Sequence, residues 1–230
     1  LNKASFFAGH SLGEYSAIAC AGYLDFQNTI KILKIRGDAM QNSIPEGEGG
    51  MVAVLGTTVE SIEKILIDNK NLFKAEIAND NSEGQIVVSG KNKDLEELSL
   101  FLKKNKIKNI KLPVSAPFHR SLMSKATNIM REELGKLKFK KGSNCLISNI
   151  TADEIFNADG LKDLLIKQIE NRVRWRESVI NIVQKGVSQF IEIGPGKVLS
   201  GLVKRINKKV ETLSIQNTND IENYINTLER

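Results

Sequence analysis

The sequence Gly9-His10-Ser11-Leu12-Gly13 carries the clearest chemical pattern in this chain. It fits G-x-S-x-G, in which a serine lies on a strained turn between a strand and a helix and exposes its hydroxyl. Residues 5–8 read as a short buried strand and residues 12–21 as a helix, which is the required context. The amide of Leu12 would then lie at a helix N-terminus, where it can stabilise an oxyanion. We therefore predict that Ser11 is a nucleophile; a serine that only caps the helix is the alternative.

A serine hydroxyl is a poor nucleophile until a base accepts its proton. The chain contains two histidines, His10 and His119. Side chains of adjacent residues in such a turn diverge, so His10 cannot easily reach Ser11. His119 is therefore the predicted base, although a loop histidine taken alone is more often a surface residue. A carboxylate or another well-placed acceptor would have to orient its second ring nitrogen.

The elements that must hold these residues alternate between strands and helices, which predicts an α/β fold. Residues 49–113 follow the order strand, helix, strand, strand, helix, strand, and we predict that they form an inserted ferredoxin-like small subdomain. Residues 1–48 and 114–230 would form an α/β-hydrolase-like large lobe with a largely parallel sheet, in which residues 189–193 are a buried strand. The glycine-rich run of residues 46–50 is a candidate hinge.

Composition limits the classes of function. The chain has 230 residues, of which 41% are hydrophobic and 26% charged, as in an ordinary soluble globular protein. No run approaches the roughly 18 consecutive apolar residues of a membrane helix, and no signal peptide is visible. Cys20 and Cys145 are expected to be free thiols in the cytoplasm. No His or Cys cluster has metal-ligand spacing, so neither a metal nor a redox cofactor is expected.

The net charge of +6 comes largely from lysines spread along the chain. Such a surface attracts nucleic acid, an anionic membrane, a phosphorylated cofactor or an acidic protein. Aromatic residues make up 6% of the chain and no nucleic-acid-binding module is recognisable, which argues against nucleic acid. A lysine-rich composition without any charged partner is the alternative.

Three segments resemble the motifs of the malonyl-CoA:acyl carrier protein transacylase family. Residues 9–17 (GHSLGEYSA) are similar to the family's nucleophile motif. Residues 114–119 (VSAPFH), continued by residues 121–123 (SLM), resemble the segment that carries its catalytic histidine. Residues 192–199 (EIGPGKVL) resemble its late turn. The resemblance covers essentially the whole chain and extends to the acyltransferase domains of fatty-acid and polyketide synthases.

The resemblance implies a ping-pong transfer in fatty acid biosynthesis. Ser11 would attack the malonyl thioester of coenzyme A, and the phosphopantetheine thiol of acyl carrier protein would then take the malonyl group. His119 would be the base in each attack and the acid for each leaving thiol. Arg36 would hold the free malonyl carboxylate by two parallel hydrogen bonds, which lysine cannot supply; an isolated helical arginine is otherwise a solvated surface charge. Coenzyme A is then part of a substrate, and no cofactor is implied.

Two more positions follow from the same resemblance. Gln168 aligns with the residue whose main-chain carbonyl orients the histidine, a role that needs a carbonyl and no particular side chain. Phe118 precedes His119, as in malonyl-selective members, and would contact substrate; it is equally consistent with a core aromatic residue.

The front of the chain departs from the family. Members carry a further strand and a Gln-Gly loop before the elbow, and a glutamine of that loop supplies the second oxyanion donor. Nothing before Ser11 matches it, and the first residue is Leu1, so we expect an N-terminally truncated chain. Loss of one oxyanion donor typically costs about 100- to 1000-fold in rate. An inactive fragment that acts only as a binding module is therefore one alternative.

A serine hydrolase or thioesterase with the same elbow is another alternative. The two classes differ in what receives the acyl group, which is water in one and a thiol in the other. Arg36 distinguishes the two classes, because a simple esterase does not need a buried guanidinium that binds a second carboxylate.

Basic residues near the late turn form a candidate docking surface for an acidic carrier protein or for the phosphates of coenzyme A, and such binding should weaken with salt. A solvated helix end favoured by the helix dipole is the alternative. We expect a monomer with neither nucleic acid nor a membrane as partner. The basic residues are Lys197, Lys204, Arg205, Lys208 and Lys209.

Overall fold

Strands and helices alternate through the computed structural model, which describes residues 4–155 and 157–228. The strands are β1 (Phe6–Phe7), β2 (Gly49–Leu55), β3 (Ala75–Ser82), β4 (Gln85–Lys91), β5 (Lys108–Lys111), β6 (Cys145–Ile147), β7 (Glu154–Ile155), β8 (Gln189–Ile193) and β9 (Glu211–Ile215). The α-helices are α1 (Leu12–Cys20), α2 (Phe26–Gln41), α3 (Val59–Asp68), α4 (Asn92–Lys104), α5 (Ser124–Lys136), α6 (Leu161–Glu170), α7 (Trp175–Gln184), α8 (Val198–Ile206) and α9 (Thr218–Leu228). The predicted α/β class is confirmed.

The described residues form three sheets. Strand β1 pairs in parallel with β6, which pairs antiparallel with β7. Strands β3, β4, β2 and β5, in that spatial order, form a fully antiparallel sheet. Strands β8 and β9 pair in parallel. The parallel pairing predicted outside residues 49–113 thus occurs in two separate sheets. The chain divides into two compact units, residues 1–178 and 179–230.

The larger core of the first unit is built by helices α1, α2, α5 and α6. Tyr15 and Ile18 of α1 are three residues apart, so they lie on the same face of the helix, and both are fully buried. Met130 of α5 and Leu165 of α6 belong to the same cluster. Burial of an apolar side chain of this size contributes about 1.5–3 kcal/mol. This packing fixes helix α1, and with it the turn from which α1 begins.

Strands β2 and β4 of the four-stranded sheet are buried on both faces, between which the side chains along a strand alternate. Val52 and Val54 of β2 belong to a cluster with apolar residues of α3 and α4. Met51, between Gly50 and Val52 in sequence, belongs to a separate cluster, against which Phe118 packs. One sheet therefore supports its own two helices and the segment that carries residue 118.

The prediction that residues 46–50 form a hinge is wrong for the last two of these residues. Gly49 and Gly50 begin β2 and pair with residues of β4. A side chain at position 49 would come within 2.5 Å of Pro117 Cδ and 2.6 Å of Ile44 Cδ1. Gly49 is therefore explained by close packing against neighbouring residues, and its backbone is fixed by the sheet.

The second unit is built around β8 and β9, with α8 against both strands and α9 against β9. The turn into α8 needs glycine, since Gly194 and Gly196 have φ angles of 140° and 90°. The carboxylate of Glu192 accepts hydrogen bonds from the amides of Leu199 (3.1 Å) and Ser200 (2.8 Å) and so satisfies donors at the start of α8.

The prediction that residues 189–193 form a strand is confirmed, but the prediction that this strand is buried is wrong. All of its residues are half-buried or exposed, in a sheet that has two strands among the described residues. Strand β9 was not predicted, although Thr212, Leu213, Ser214 and Ile215 alternate between polar and apolar as a strand requires. None of the described helices is long and apolar enough to cross a lipid bilayer.

Candidate active site

Ser11 lies on the turn between β1 and α1, as the pentapeptide predicts. Its φ of 52° and ψ of −103° are rarely adopted by a residue with a side chain, at a cost of order 1–3 kcal/mol. Within the turn, the Gly13 amide donates to the His10 carbonyl (2.9 Å) and the Glu14 amide donates to the Ser11 carbonyl (3.1 Å). A strained conformation of this kind persists only where surrounding groups hold it.

Asn149 is the residue that clamps this turn. Its side-chain oxygen accepts from the Ser11 amide (2.7 Å), and its side-chain nitrogen donates to the Gly9 carbonyl (2.7 Å). Its own main-chain amide donates to Glu14 Oε1 (3.2 Å). Sequence reasoning missed Asn149. Its position directly after β6 could have indicated this role, because groups at the carboxyl ends of parallel strands often build a site.

The two glycines of the pentapeptide do not have the same role. A Cβ atom at Gly9 would lie 1.9 Å from the Gly13 oxygen and 2.5 Å from the Glu14 nitrogen, both backbone atoms that cannot easily move. A Cβ atom at Gly13 meets no described atom within 4 Å. Close packing against backbone therefore explains Gly9 and does not explain Gly13.

We expect Gly9→Ala to lower the free energy of unfolding by about 3 kcal/mol or more, because the added methyl group overlaps backbone. Gly13→Ala is the matched control, and it should change stability by no more than about 1 kcal/mol. Urea unfolding followed by circular dichroism measures both. Equal losses in the two variants would contradict this account of the turn.

His119 is brought to Ser11 from a distant part of the sequence. Its Nε2 lies 2.7 Å from Ser11 Oγ. Its Nδ1 lies 2.8 Å from the main-chain carbonyl oxygen of Gln168. A carbonyl only accepts, so Nδ1 carries the proton and Nε2 presents a lone pair to the serine hydroxyl. The imidazole is thus poised to accept the hydroxyl proton.

Burial and, next, the positive charge of Arg36 lower the pKa of His119 to about 3. The side chain is only 4% exposed, so little water stabilises an imidazolium. His119 is therefore neutral, and able to accept a proton, throughout the neutral pH range.

The residues after His119 anchor it to the four-stranded sheet. His119 has a φ of 58°, another value that needs support from its surroundings. Arg120 is buried and donates to the Lys74 carbonyl (3.0 Å) and to Glu76 Oε1 (3.0 Å). The Ser121 hydroxyl donates to the same Glu76 oxygen (2.6 Å). The position of the imidazole thus depends on strand β3.

Arg36 extends from α2 to the serine. Its Nη2 donates to Ser11 Oγ (2.9 Å) and to Gln168 Oε1 (2.9 Å). The side chain is 5% exposed and its guanidinium carbon lies 5.4 Å from the centre of the Tyr15 ring. Its Nε is buried and has no hydrogen-bond partner. Arg36 is therefore not a solvated surface charge, and it retains a donor for a further acceptor.

Glu14 is a buried acid that sequence reasoning did not single out. Burial raises its pKa to about 7, while hydrogen bonds from Gln168 and the Asn149 amide, and the charge of Arg36, act in the opposite direction. Both of its partners are donors, so the contacts favour the ionised carboxylate. Its position in the first turn of α1, directly under the elbow, could have indicated that it belongs to the site.

Gln168 connects all of these groups. The predicted contact of its main-chain carbonyl with His119 is present. That role needs no particular side chain, but the side chain makes contacts of its own: the amide nitrogen donates to the Ser11 carbonyl (3.0 Å) and to Glu14 Oε2 (2.5 Å). The amide oxygen accepts from Arg36. Gln168 is fully buried.

The remaining predicted residues lie around this centre. Leu12 is the first residue of α1, so its amide is at the helix N-terminus, as predicted. His10 is turned away from the serine oxygen and contacts Asn81 Oδ1 (2.8 Å) through Nε2. Phe118 is half-buried and packs against two core clusters, as the core alternative stated. A contact of Phe118 with substrate stays a prediction.

The predicted basic surface is at helix α8, within the second unit. Lys197 immediately precedes the helix, and Lys204 and Arg205 lie in its last turn. All of its members are exposed. The ammonium group of Lys204 donates to the Val210 carbonyl (2.5 Å), so this lysine also ties the last turn of α8 to the residue before β9.

Comparisons with known proteins agree on one family. Residues 2–223 match the family described as the acyl transferase domain. Malonyl CoA-acyl carrier protein transacylase of Bacillus subtilis is 41% identical over 227 residues, which are 97% of this chain and 71% of that protein.

Solved structures lead to the same family. The malonyl CoA-acyl carrier protein transacylase of Clostridium perfringens superposes with a TM-score of 0.94 at 39% identity, over 99% of this chain and 72% of the other. The malonyl-transacylase PlMCAT, solved in complex with the type II PKS acyl-carrier protein AntF, gives a TM-score of 0.92 at 34% identity, over 97% and 72% of the two chains.

Proposed function

This chain belongs to the acyl transferase family, and from that membership we propose that Ser11, His119 and Arg36 carry out its reaction. The reaction is the transfer of a malonyl group from malonyl-CoA to acyl carrier protein in fatty acid synthesis. The observation that carries the assignment is that His119 and Arg36 converge on one oxygen, Ser11 Oγ. Ser11 Oγ lies 2.7 Å from the base and 2.9 Å from the guanidinium.

In the first half-reaction, Ser11 Oγ attacks the thioester carbonyl of malonyl-CoA and its proton passes to His119 Nε2. The amide of Leu12 stabilises the oxyanion of the tetrahedral intermediate. The carbon–sulfur bond then breaks, and the imidazolium returns its proton to the leaving thiol of coenzyme A. The product is a malonyl ester on Ser11.

The second half-reaction runs the same steps in reverse with a new thiol. His119 takes the proton of the phosphopantetheine thiol of the carrier protein, and the sulfur attacks the ester carbonyl. Collapse of the intermediate returns the proton to Ser11 Oγ. Proton transfer, nucleophile and anchor are all supplied by side chains, so we propose that no cofactor takes part beyond the coenzyme A thioester itself.

The malonyl carboxylate distinguishes this substrate from neutral acyl groups, and Arg36 is the proposed partner. Two parallel hydrogen bonds from a guanidinium match a carboxylate in a way that ammonium does not. The buried Nε without a partner supports this assignment, because an unpaired buried donor is costly until a ligand pairs with it.

We expect Arg36→Ala to reduce kcat/KM for malonyl-CoA about 100-fold while changing acylation by acetyl-CoA only a few-fold. Arg36→Lys, which keeps the charge without the fork, should lose about tenfold. Steady-state kinetics with the two thioesters measures the preference. An unchanged preference in Arg36→Ala would favour a hydrolase.

Incubation with radiolabelled malonyl-CoA tests the function directly. Acid-stable label should appear on the peptide that contains Ser11 and should pass to the carrier protein when its thiol is added. A hydrolase would instead release labelled malonate to water without needing the carrier. An inactive binding module would bind malonyl-CoA and leave no label on the serine.

We also propose that residues 49–113 form a ferredoxin-like subdomain within an α/β-hydrolase-like core made of residues 1–48 and 114–230. The order β3-β4-β2-β5, with helices after β2 and β4, supports this subdomain. Docking of acidic carrier protein on the basic surface at α8 and a cytoplasmic location remain proposals. Cys20 and Cys145 are not disulfide-bonded, which suits a reducing compartment.

A further inference from the structure

A buried acid and a buried base lie beneath the serine. Arg36 is 5% exposed and Glu14 is 1% exposed. Glu14 accepts from Gln168 Nε2 and from the Asn149 amide, whereas Arg36 donates to Gln168 Oε1 and to Ser11 Oγ. Buried opposite charges normally pair with each other, because neither has water to stabilise it. Here they contact opposite ends of one neutral amide.

The chemistry of the two charged groups fixes the orientation of that amide. A carboxylate accepts only, so Gln168 must present its NH₂ group to Glu14. A guanidinium donates only, so Gln168 must present its oxygen to Arg36. The arrangement uses one nitrogen of Arg36 and leaves its Nε unpaired.

We propose that the side chain of Gln168 is a specificity-determining spacer, which keeps Arg36 from pairing with Glu14 and so leaves donors of the guanidinium, Nε among them, for the carboxylate of the substrate. The proposal rests on the proposed role of Arg36. It adds a second function to Gln168, whose main-chain carbonyl orients His119.

Removal of the amide should release the two charges toward each other. With Gln168→Met, which has nearly the same shape, Glu14 loses a donor and Arg36 loses an acceptor. A guanidinium paired with Glu14 would be satisfied inside the protein and would bind the malonyl carboxylate poorly. If Glu14→Gln then also removes the competing carboxylate, the guanidinium of Arg36 can again bind the malonyl carboxylate.

The experiment compares wild type, Gln168→Met and the double variant Gln168→Met/Glu14→Gln in the purified protein. Each is acylated with radiolabelled malonyl-CoA and, separately, with acetyl-CoA, which reports the reactivity of Ser11 without a carboxylate. We expect the ratio of kcat/KM for malonyl-CoA to that for acetyl-CoA to fall at least about tenfold in Gln168→Met, mainly through KM. The double variant should recover severalfold of that loss. Gln27→Met, on the exposed side of α2, is the matched control and should keep the wild-type ratio.

Three results would overturn the spacer role: an unchanged ratio in Gln168→Met, a parallel fall for both thioesters, or a double variant with a lower ratio than the single one. If Gln168→Met does not fold, Gln168→Asn replaces it, since the shorter amide cannot reach both charges, and the same fall is expected. If the proposed function itself is wrong, wild type takes no label from malonyl-CoA. That result distinguishes its failure from failure of the spacer role.

Discussion

Replacing Ser11 with alanine should abolish the label that wild type takes from malonyl-CoA, with a loss in rate of at least about 10⁴-fold. The reason is that Oγ is the atom to which both the base and the guanidinium are directed. Fold and stability should be retained, since the hydroxyl makes no contact that holds the core. Mass spectrometry of the acylated peptide and transfer of label to carrier protein measure the effect.

Ser16 provides the matched control for this experiment. It lies on α1, the helix that follows the turn of Ser11, is exposed, and is five residues from Ser11. Ser16→Ala should retain labelling within about twofold, as is usual for an exposed surface substitution. Label that persists in Ser11→Ala would show that another residue is the nucleophile and would end the assignment of the elbow.

Replacing His119 with alanine should slow acylation by about 10²- to 10⁴-fold, the range expected when a general base is removed. The serine would keep its position on the turn, which Asn149 holds independently of the imidazole. The loss should therefore appear in kcat. The loss in His10→Ala should be at least about tenfold smaller, because the Nε2 of His10 is occupied by Asn81.

The pH profile gives a second test of His119. Because burial and Arg36 lower the pKa of His119 to about 3, the imidazole stays neutral as the pH falls through its ordinary value of 6.5. In Glu14→Gln, where the neighbouring carboxyl cannot titrate, acylation by acetyl-CoA should thus stay level between about pH 8 and pH 5. A fall centred near pH 6.5 would mean that the imidazole titrates as an exposed histidine, which contradicts the buried dyad.

The parts of the site that could be read from sequence are those set by local chemistry. A glycine before a turn, a serine at its apex and a helix after it are neighbours in sequence, so the elbow was predictable. His119 was found because the chain has only two histidines and the other one is adjacent to the serine. The element order within residues 49–113 was likewise visible as a succession of local patterns, and strands and helices in that order are present.

The parts that could not be read depend on contacts between distant segments. Asn149 clamps the turn across 138 residues, and Gln168 reaches Glu14 across 154. Glutamine and asparagine are common, and nothing near them in sequence indicates a buried network. The role of Gln168 was assigned to its carbonyl, because a main-chain contact to the histidine was all that the resemblance implied. The side-chain amide became apparent only from the positions of the two charges.

The anchoring of His119 through Arg120 and Glu76 has a consequence for motion. Ser11, the proposed nucleophile, belongs to the turn before α1, whereas the segment of His119, the proposed base, is tied to strand β3 by hydrogen bonds at Glu76. A shift of the four-stranded sheet of about 1 Å would stretch the bond between imidazole and hydroxyl beyond useful length, with every helix still intact. The proposed proton transfer from Ser11 to His119 therefore depends on the position of a sheet that contributes no atom to the chemistry.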